Sequence, residues 1–426
     1  MADGTGLQRF AVPLHPMRRM LITHAKALVG THPAGVERIA GRAMADLPLI
    51  ADAWLLIEDG RIAALGSMSE LPATIDPKGV TIIDASGCYV LPGWCDPHTH
   101  TVFAAPREEE FVDKIKGLSY QEIADKGGGI LNSARKLRAM DEEELYQGSR
   151  KRLEEMMHQG TVAVEIKSGY GLSLDSELKM LRVAQRLKAS LPLQIRTTLL
   201  AAHALPPEYK DDRGSYIDLI CDTLIPQVAA EGLADFVDVF CETNYFTVAE
   251  MERVLEAGAL HGLPGKVHVN QFTSIGGIQS AVKHGALSVD HLEVMEEADL
   301  DALAGSSTIP TLLPSCSFFL RIPYGPARQL MDRDLPVALA TDHNPGSTPS
   351  GNMNLQLRML PEEAITAMTL NSAAAMGVQN ELGSISVGKR ASLIITRPVP
   401  SLAYLPYAFG NDHIQTVIID GTTVRS

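Results

Sequence analysis

The sequence predicts an α/β protein, a (β/α)8 TIM barrel with a small β-sandwich-like domain built from both chain ends. Three observations carry this expectation. Apolar runs that stop at a polar residue recur eight times through the middle of the chain, amphipathic stretches of helical period separate most of them, and a hairpin signal stands near each end. At 426 residues the chain has room for one large and one smaller domain. The expected boundaries are 1–88 and 380–426 for the two parts of the composite β domain and 89–379 for the barrel.

The N-terminal hairpin is AWLLIEDGRIAALG (53–66), two apolar stretches around Asp59-Gly60. SLIITRPVP followed by IQTVIIDGTTV (414–424) repeats the pattern around Asp420-Gly421, so both ends are expected to share one β domain. Between them, CYVLPGWCDPHTH, TVAVEIKSGYG, LQIRTTLLAAHA, DFVDVFCE, GKVHVNQ, ALSVDHLE, TIPTLLPS and PVALATDHNPGS read as the eight barrel strands. Residues 175–190 and 247–262 have helical periodicity, and the second opens on a threonine and glutamate spaced as a capping box. An open doubly wound sheet would show a glycine-rich phosphate loop after its first strand, and none is present. The GGG at 127–129 precedes ILNSARKL and reads as a flexible loop or a helix start.

Hydrophobic residues make up 45% and charged residues 21%, and no apolar run approaches the ~20 residues of a membrane helix. The opening MADGTGLQRFAVPLHPMRRM has neither a continuous apolar segment nor a small-residue cleavage pattern, so the cytoplasm is the expected location. A net charge of -14 opposes binding to nucleic acid or anionic lipid and leaves a small solute as the expected partner. Cys88, Cys95, Cys221, Cys241 and Cys316 are odd in number, scattered and free of any C-x-x-C pair, the pattern of buried thiols.

Barrel chemistry gathers at the C-terminal ends of strands, where the loops converge. Here those ends carry His98, His100, Lys167, His203, Glu242, His268, His291 and Asp342, which a barrel would turn toward one cavity. His98 and His100 stand two apart, so an extended chain sends both side chains to the same side. Alone they fit a polar strand end as well as a metal site. With His268 and Asp342 they make three imidazoles and a carboxylate, a set suited to one divalent ion, Zn2+ or Fe2+, with a position open for water.

DPHTH, EIKSGYGL, AAHALPPEY, FCE, HVNQ, SVDHLE and ATDHNPGS, in that order and spacing, resemble the metal-dependent amidohydrolase superfamily and, within it, the imidazolonepropionases of histidine degradation. The resemblance runs from the first hairpin to FGNDHIQTVIIDG. It implies one metal on His98, His100, His268 and Asp342, hydrolysis of the ring C–N bond of an imidazolone bearing a propionate, and N-formimino-L-glutamate as product. It implies catalytic roles for Asp342 as proton carrier and for His291 as oxyanion stabiliser or proton-transfer partner. Arg107, in PREEEF, takes the position of the arginine that grips the substrate carboxylate. Tyr170, His203, Asn344, Gly346 and Ser347 match further substrate contacts, and superfamily habit implies a homodimer.

Two departures stand out. Many members carry an acidic residue where this chain has Gln271, and Asn270 stands where aspartate is common. Glutamine can orient a substrate or water by hydrogen bonds but cannot act as a general base, so proton transfer is expected to fall on Asp342 and His291. A hydantoin or thiohydantoin propionate would use the same arginine and metal, which makes a sister cyclic amidohydrolase the alternative function, and a catalytically silent scaffold a more distant one. Lys167 raises a two-metal alternative through a carboxylated lysine, although EIKSGYG looks like the mononuclear arrangement. His343, next to Asp342 on an extended strand, is expected to face away from the site.

Overall fold

The computed structural model describes residues 19–426 apart from 77, 119–121, 124–125 and 357–358, so the leader-free reading of the first 18 residues lies outside the described residues. The chain enters through β1 (Arg19–Val29), β2 (Leu49–Glu58), β3 (Arg61–Ser67), β4 (Val80–Asp84) and β5 (Tyr89–Pro92). It continues through β6 (Trp94–Thr99), β7 (Thr161–Lys167), β8 (Gln194–Ala202), β9 (Phe236–Cys241), β10 (Gly265–Val269), β11 (Ser288–His291), β12 (Ile309–Leu312) and β13 (Ala338–Leu339). It finishes with β14 (Leu393–Thr396), β15 (Ile414–Ile419) and β16 (Thr422–Arg425).

The strands of the two ends form one mixed sheet, in the order β16-β15-β14-β5-β1-β2-β3 with β4 also on β1. At both hairpin turns the two central residues have positive φ, 47° and 80° at Asp59-Gly60 and 49° and 69° at Asp420-Gly421, as a tight turn matched to strand twist demands. The two turns also meet: a Cβ on Gly60 would stand 2.9 Å from the Asp420 carbonyl oxygen, and one on Gly421 would stand 2.9 Å from Gly60 Cα. The sheet alternates its faces with period two. Val90, Leu393, Ile395 and Ile418 share a core with Ile22, Leu28, Leu55 and Ile57, while Leu91, Ile394, Val417 and Ile419 join the larger core of the barrel.

The run CYVLPGWCDPHTH, read as a single barrel strand, divides at Pro92-Gly93. Its first half, β5, pairs with β1 and β14, and its second half, β6, opens the barrel beside β7. Glycine is required at the crossing because a Cβ on Gly93 would lie 2.2 Å from a methyl group of Val162.

Strands β6 to β13 follow one another in parallel as an eight-stranded sheet. The seam between β13 and β6 is closed by the chain just beyond them. The Asp342 N–H donates to the His98 carbonyl at 3.0 Å and the His100 N–H to the His343 carbonyl at 2.9 Å, while the Asp96 carboxylate accepts from the Thr341 N–H at 3.0 Å and its hydroxyl at 2.6 Å. Covered on both faces, β6, β7 and β9 are buried along their whole length. The two expected helices form as Leu174–Ser190 and Val248–Leu260. Thr247 caps the second reciprocally with Glu250, its hydroxyl accepting from the Glu250 N–H at 3.3 Å and the glutamate accepting from the Thr247 N–H at 2.8 Å. Among the described residues no helix is long and apolar enough to cross a membrane.

Candidate active site and metal centre

The strand ends bring His98, His100, His268, His291 and Asp342 into one buried cluster. His98 and His100 project from the end of β6 on the same side, and Asp342 reaches them across the seam with φ 56°. Asp342 Oδ1 lies 3.7 Å from His98 Nε2 and 3.6 Å from His100 Nε2. His268, on β10, places its Nε2 3.3 Å from that of His100.

Two carboxylates behind the cluster fix which nitrogen faces inward. Asp290 Oδ2 accepts from His98 Nδ1 at 2.7 Å, and Asp238 Oδ2 from His268 Nδ1 at 2.9 Å, which leaves both Nε2 lone pairs aimed into the cluster. Burial first, then the neighbouring imidazoles and Lys167, hold His98, His100 and His268 well below the ordinary histidine pKa, so all three are neutral donors. His98 Nε2 is buried with no hydrogen-bond partner. Neutral nitrogens at this separation, beside an orphan lone pair and a carboxylate oxygen, fit a single divalent cation. Burial raises Asp342 to about 6 against the opposing influence of His291. At His291 burial acts to lower the pKa, but Glu293, Asp342 and Asp290 outweigh it and raise it.

Lys167 does not face the cavity. Its ammonium lies inside the barrel and donates to Glu165 at 2.6 Å and to Asp238 at 2.8 Å, with Asp290 at 3.5 Å, all fully buried. One cation therefore spans both of the carboxylates that orient His98 and His268. Burial acts to lower its pKa, yet Asp238, Glu165 and Asp290 prevail and hold it above the ordinary lysine value. With its ammonium committed to these carboxylates and turned away from the cavity, Lys167 is not placed to bridge two ions. Lys266 completes the layer with bonds to Glu165 and to the carbonyls of Pro97 and Ala375.

The cavity above the cluster is lined by Arg107, Tyr170, His203, Gln271, Asn344 and Ser347 together with His100, His268, His291 and Asp342. The Arg107 guanidinium is buried, yet its Nε and Nη1 have no hydrogen-bond partner. Glu110 Oε2 stands 3.6 Å from that Nε, too far for a hydrogen bond, because the other Glu110 oxygen is held by the Gly129 N–H and by Asn132, each at 3.1 Å. The GGG segment is thus the start of the helix Gly129–Ala139 and an anchor for the PREEEF segment. Gly346 makes room for the guanidinium, since a Cβ there would lie 1.4 Å from Arg107 Nη2.

The family model of the amidohydrolase family matches residues 89–424. The chain belongs to the amidohydrolase family. It is 53% identical over 411 residues to an imidazolonepropionase of Flavobacterium johnsoniae, covering 95% of this chain and 99% of the relative. It is 41% identical over 417 residues to that of Geobacillus thermodenitrificans, covering 96% and 98%. Among solved structures, a triazine hydrolase variant (TM-score 0.73, 16% identity, 96% and 95% covered) and the E. coli guanine deaminase (0.71, 16%, 97% and 100%) share the fold.

In this amidohydrolase the remaining sequence-derived residues divide by what they touch. His203 Nδ1 donates to the Gly169 carbonyl at 3.0 Å, and its ring stacks on His100 with centroids 5.1 Å apart. Asn344 builds the turn: its oxygen accepts from the N–H groups of Gly346 and Ser347 at 2.8 Å each, and its nitrogen donates to the Asp342 carbonyl at 2.7 Å. Ser347 Oγ donates to Asp342 Oδ2 at 3.3 Å and Gln271 Nε2 to Cys316 Sγ at 3.6 Å. Glu242, expected to face the cavity, instead accepts from the backbone N–H groups of Thr243, Phe272 and Thr273 and holds the loop after β10. Asn270 turns its amide to Asp299 and the Val294 carbonyl. His343 packs its ring on Phe103, away from the cluster.

Sequence reading missed Asp238, Asp290 and Lys114. Lys114, on the helix Glu108–Ile115, donates to the Gly346 carbonyl at 3.0 Å, and burial and then Arg107 lower it to about 8. A signal for the buried layer was present: Glu165 and Lys167, at i and i+2 in an otherwise apolar strand, had to share one interior face.

Proposed function

We infer that this amidohydrolase opens the ring of 4-imidazolone-5-propanoate at its C–N bond to give N-formimino-L-glutamate. The observation that carries this reading is 52–53% identity, over nearly the full length of both chains, to several imidazolonepropionases. The buried guanidinium of Arg107, whose Nε and Nη1 have no hydrogen-bond partner, supports it, because such a group calls for a carboxylate of the kind a propionate supplies. The neutral walls offered by Tyr170 and His203 suit a flat ring beside that carboxylate.

His98, His100, His268 and Asp342 would hold the ion, Zn2+ or Fe2+. When bound, the ion supplies Lewis-acid activation of water at neutral pH. Arg107 takes the propionate and so sets the ring over the cluster. Asp342, aligned by Ser347, accepts the proton of the attacking water as oxygen joins the ring carbonyl carbon. As the C–N bond breaks, that proton passes to the departing ring nitrogen, while His291 steadies charge on the carbonyl oxygen. Gln271 contributes hydrogen bonds and no proton. A homodimer in the cytoplasm belongs to the same proposal, and sedimentation velocity tests the assembly.

Turnover should be measured on imidazolonepropionate, hydantoin propionate and thiohydantoin propionate, with metal-loaded and chelated enzyme. The expected result is metal-dependent opening of the imidazolone; preference for a hydantoin ring would assign the sister activity, and inactivity on all three would sink the reading. Arg107→Ala is expected to raise KM roughly a hundredfold, since a charge-assisted pair contributes about 1.5–3 kcal/mol. An unchanged KM would require a different substrate orientation.

A further inference from the structure

Beside His291 lie two donors, Glu293 and Cys316, that the reaction above does not use. His291, Glu293 and Cys316 each offer one ligand atom, all three residues are buried, and the atoms lie within 4.8 Å of one another. They come from adjacent parallel strands: His291 ends β11 and Glu293 follows it, while Cys316 sits in the first turn of the helix Pro314–Leu320 that follows β12. His291 Nδ1 and Glu293 Oε2 face each other at 3.5 Å, and neither has a hydrogen-bond partner. The other Glu293 oxygen is anchored by Ser317 Oγ at 3.0 Å, so the carboxylate is held by a neighbour and aimed at the imidazole at the distance of an ion pair.

The separation has a chemical meaning. Two ligands about 2.0–2.1 Å from one tetrahedral ion stand roughly 3.4 Å apart, close to the distance seen here and longer than a direct nitrogen–oxygen hydrogen bond. Sulfur beside nitrogen and oxygen selects thiophilic ions such as zinc or cobalt over magnesium or calcium. We propose that His291, Glu293 and Cys316 form a second divalent-cation site, specific for thiophilic ions, whose occupation inhibits the enzyme by taking the place of the proton on His291 Nδ1, so that His291 no longer acts as an imidazolium toward the carbonyl oxygen. Binding displaces the thiol proton of Cys316 and the proton on His291 Nδ1 to solvent, leaving a thiolate and a neutral imidazole on the ion. The inhibition rests on the proposed role of His291; the binding does not.

Cobalt(II) distinguishes the two sites because the first has no sulfur ligand. Enzyme carrying one equivalent of cobalt should show no thiolate-to-cobalt charge-transfer band in the near ultraviolet. A second equivalent should bring the band up while turnover falls roughly a hundredfold, the contribution of a positioned acid–base group. Cys316→Ser should lose both the band and the second equivalent while keeping the first, and Glu293→Gln should weaken the second equivalent by roughly tenfold or more. A wild-type titration that saturates at one equivalent without the band would overturn the proposal even if both variants failed to fold. Persistence of the band in Cys316→Ser would overturn it too. A band with undiminished turnover would overturn the inhibitory mechanism and the role of His291, whereas failure to take up any cobalt would overturn the metal-dependent reading of the whole site.

Discussion

His268→Ala is expected to abolish turnover and to empty the metal centre. His268 Nε2 stands 3.3 Å from His100 Nε2, and its Nδ1 is held by Asp238, so the substitution deletes an oriented ligand from the proposed set. Without the ion, the pKa of the attacking water rises from about 7 back to that of bulk water, and the loss in kcat should be at least roughly ten-thousandfold. Metal content by mass spectrometry, measured beside steady-state turnover, checks both halves. Full occupancy with normal activity would remove His268 from the ligand set. Asp238→Asn should be milder, costing roughly 10–100-fold in metal affinity, because it loosens the imidazole without deleting a ligand.

Lys167→Met is expected to destabilise the fold by about 3–5 kcal/mol, the usual consequence of removing one partner from a buried ionic cluster. Lys167 and Lys266 are the cations that face Glu165, Asp238 and Asp290 in a layer with no exposed side chain. Removing Lys167 leaves Asp238 and Asp290 without their shared counter-charge, and the desolvated carboxylates then repel. Equilibrium denaturation measures the loss, and cobalt affinity shows whether His98 and His268 shift with it. Arg182→Ala, which breaks the exposed pair with Glu231 at 2.9 Å, is the control and should change stability by no more than about 1 kcal/mol. Equal effects from the two substitutions would mean that the buried layer has no special weight.

Much of the architecture could be read from periodicity. Strand ends announced themselves because a buried parallel strand must be apolar until it leaves the sheet, and both hairpin turns were legible in the Asp-Gly pairs. The division at Gly93 was harder to see, since one apolar run satisfies two different sheets and only the close approach of Val162 separates them. At the site, His98, His100, His268 and Asp342 were readable as polar interruptions. Asp238 and Asp290 were not, because a carboxylate one step inside a strand looks like any polar residue until the imidazole it holds is placed beside it. Glu242 shows the reverse limit: its position at a strand end suggested chemistry, while its oxygens serve a loop.

The seam between β13 and β6 gives the site an order of assembly. His98 and His100 leave the ribosome early, but Asp342 follows long after, and its backbone closes the barrel onto His98 in the same step that brings its carboxylate to the two imidazoles. A nascent chain therefore cannot offer the complete cage, and premature capture of an ion by the early histidines would be weak and reversible. Once the last strand docks, an ion held by the proposed ligands on both sides of the join would act as a clasp. At a free concentration a thousand times its dissociation constant, such a ligand favours the closed form by about 4 kcal/mol, so metal supply would govern how long the newly made barrel stays shut.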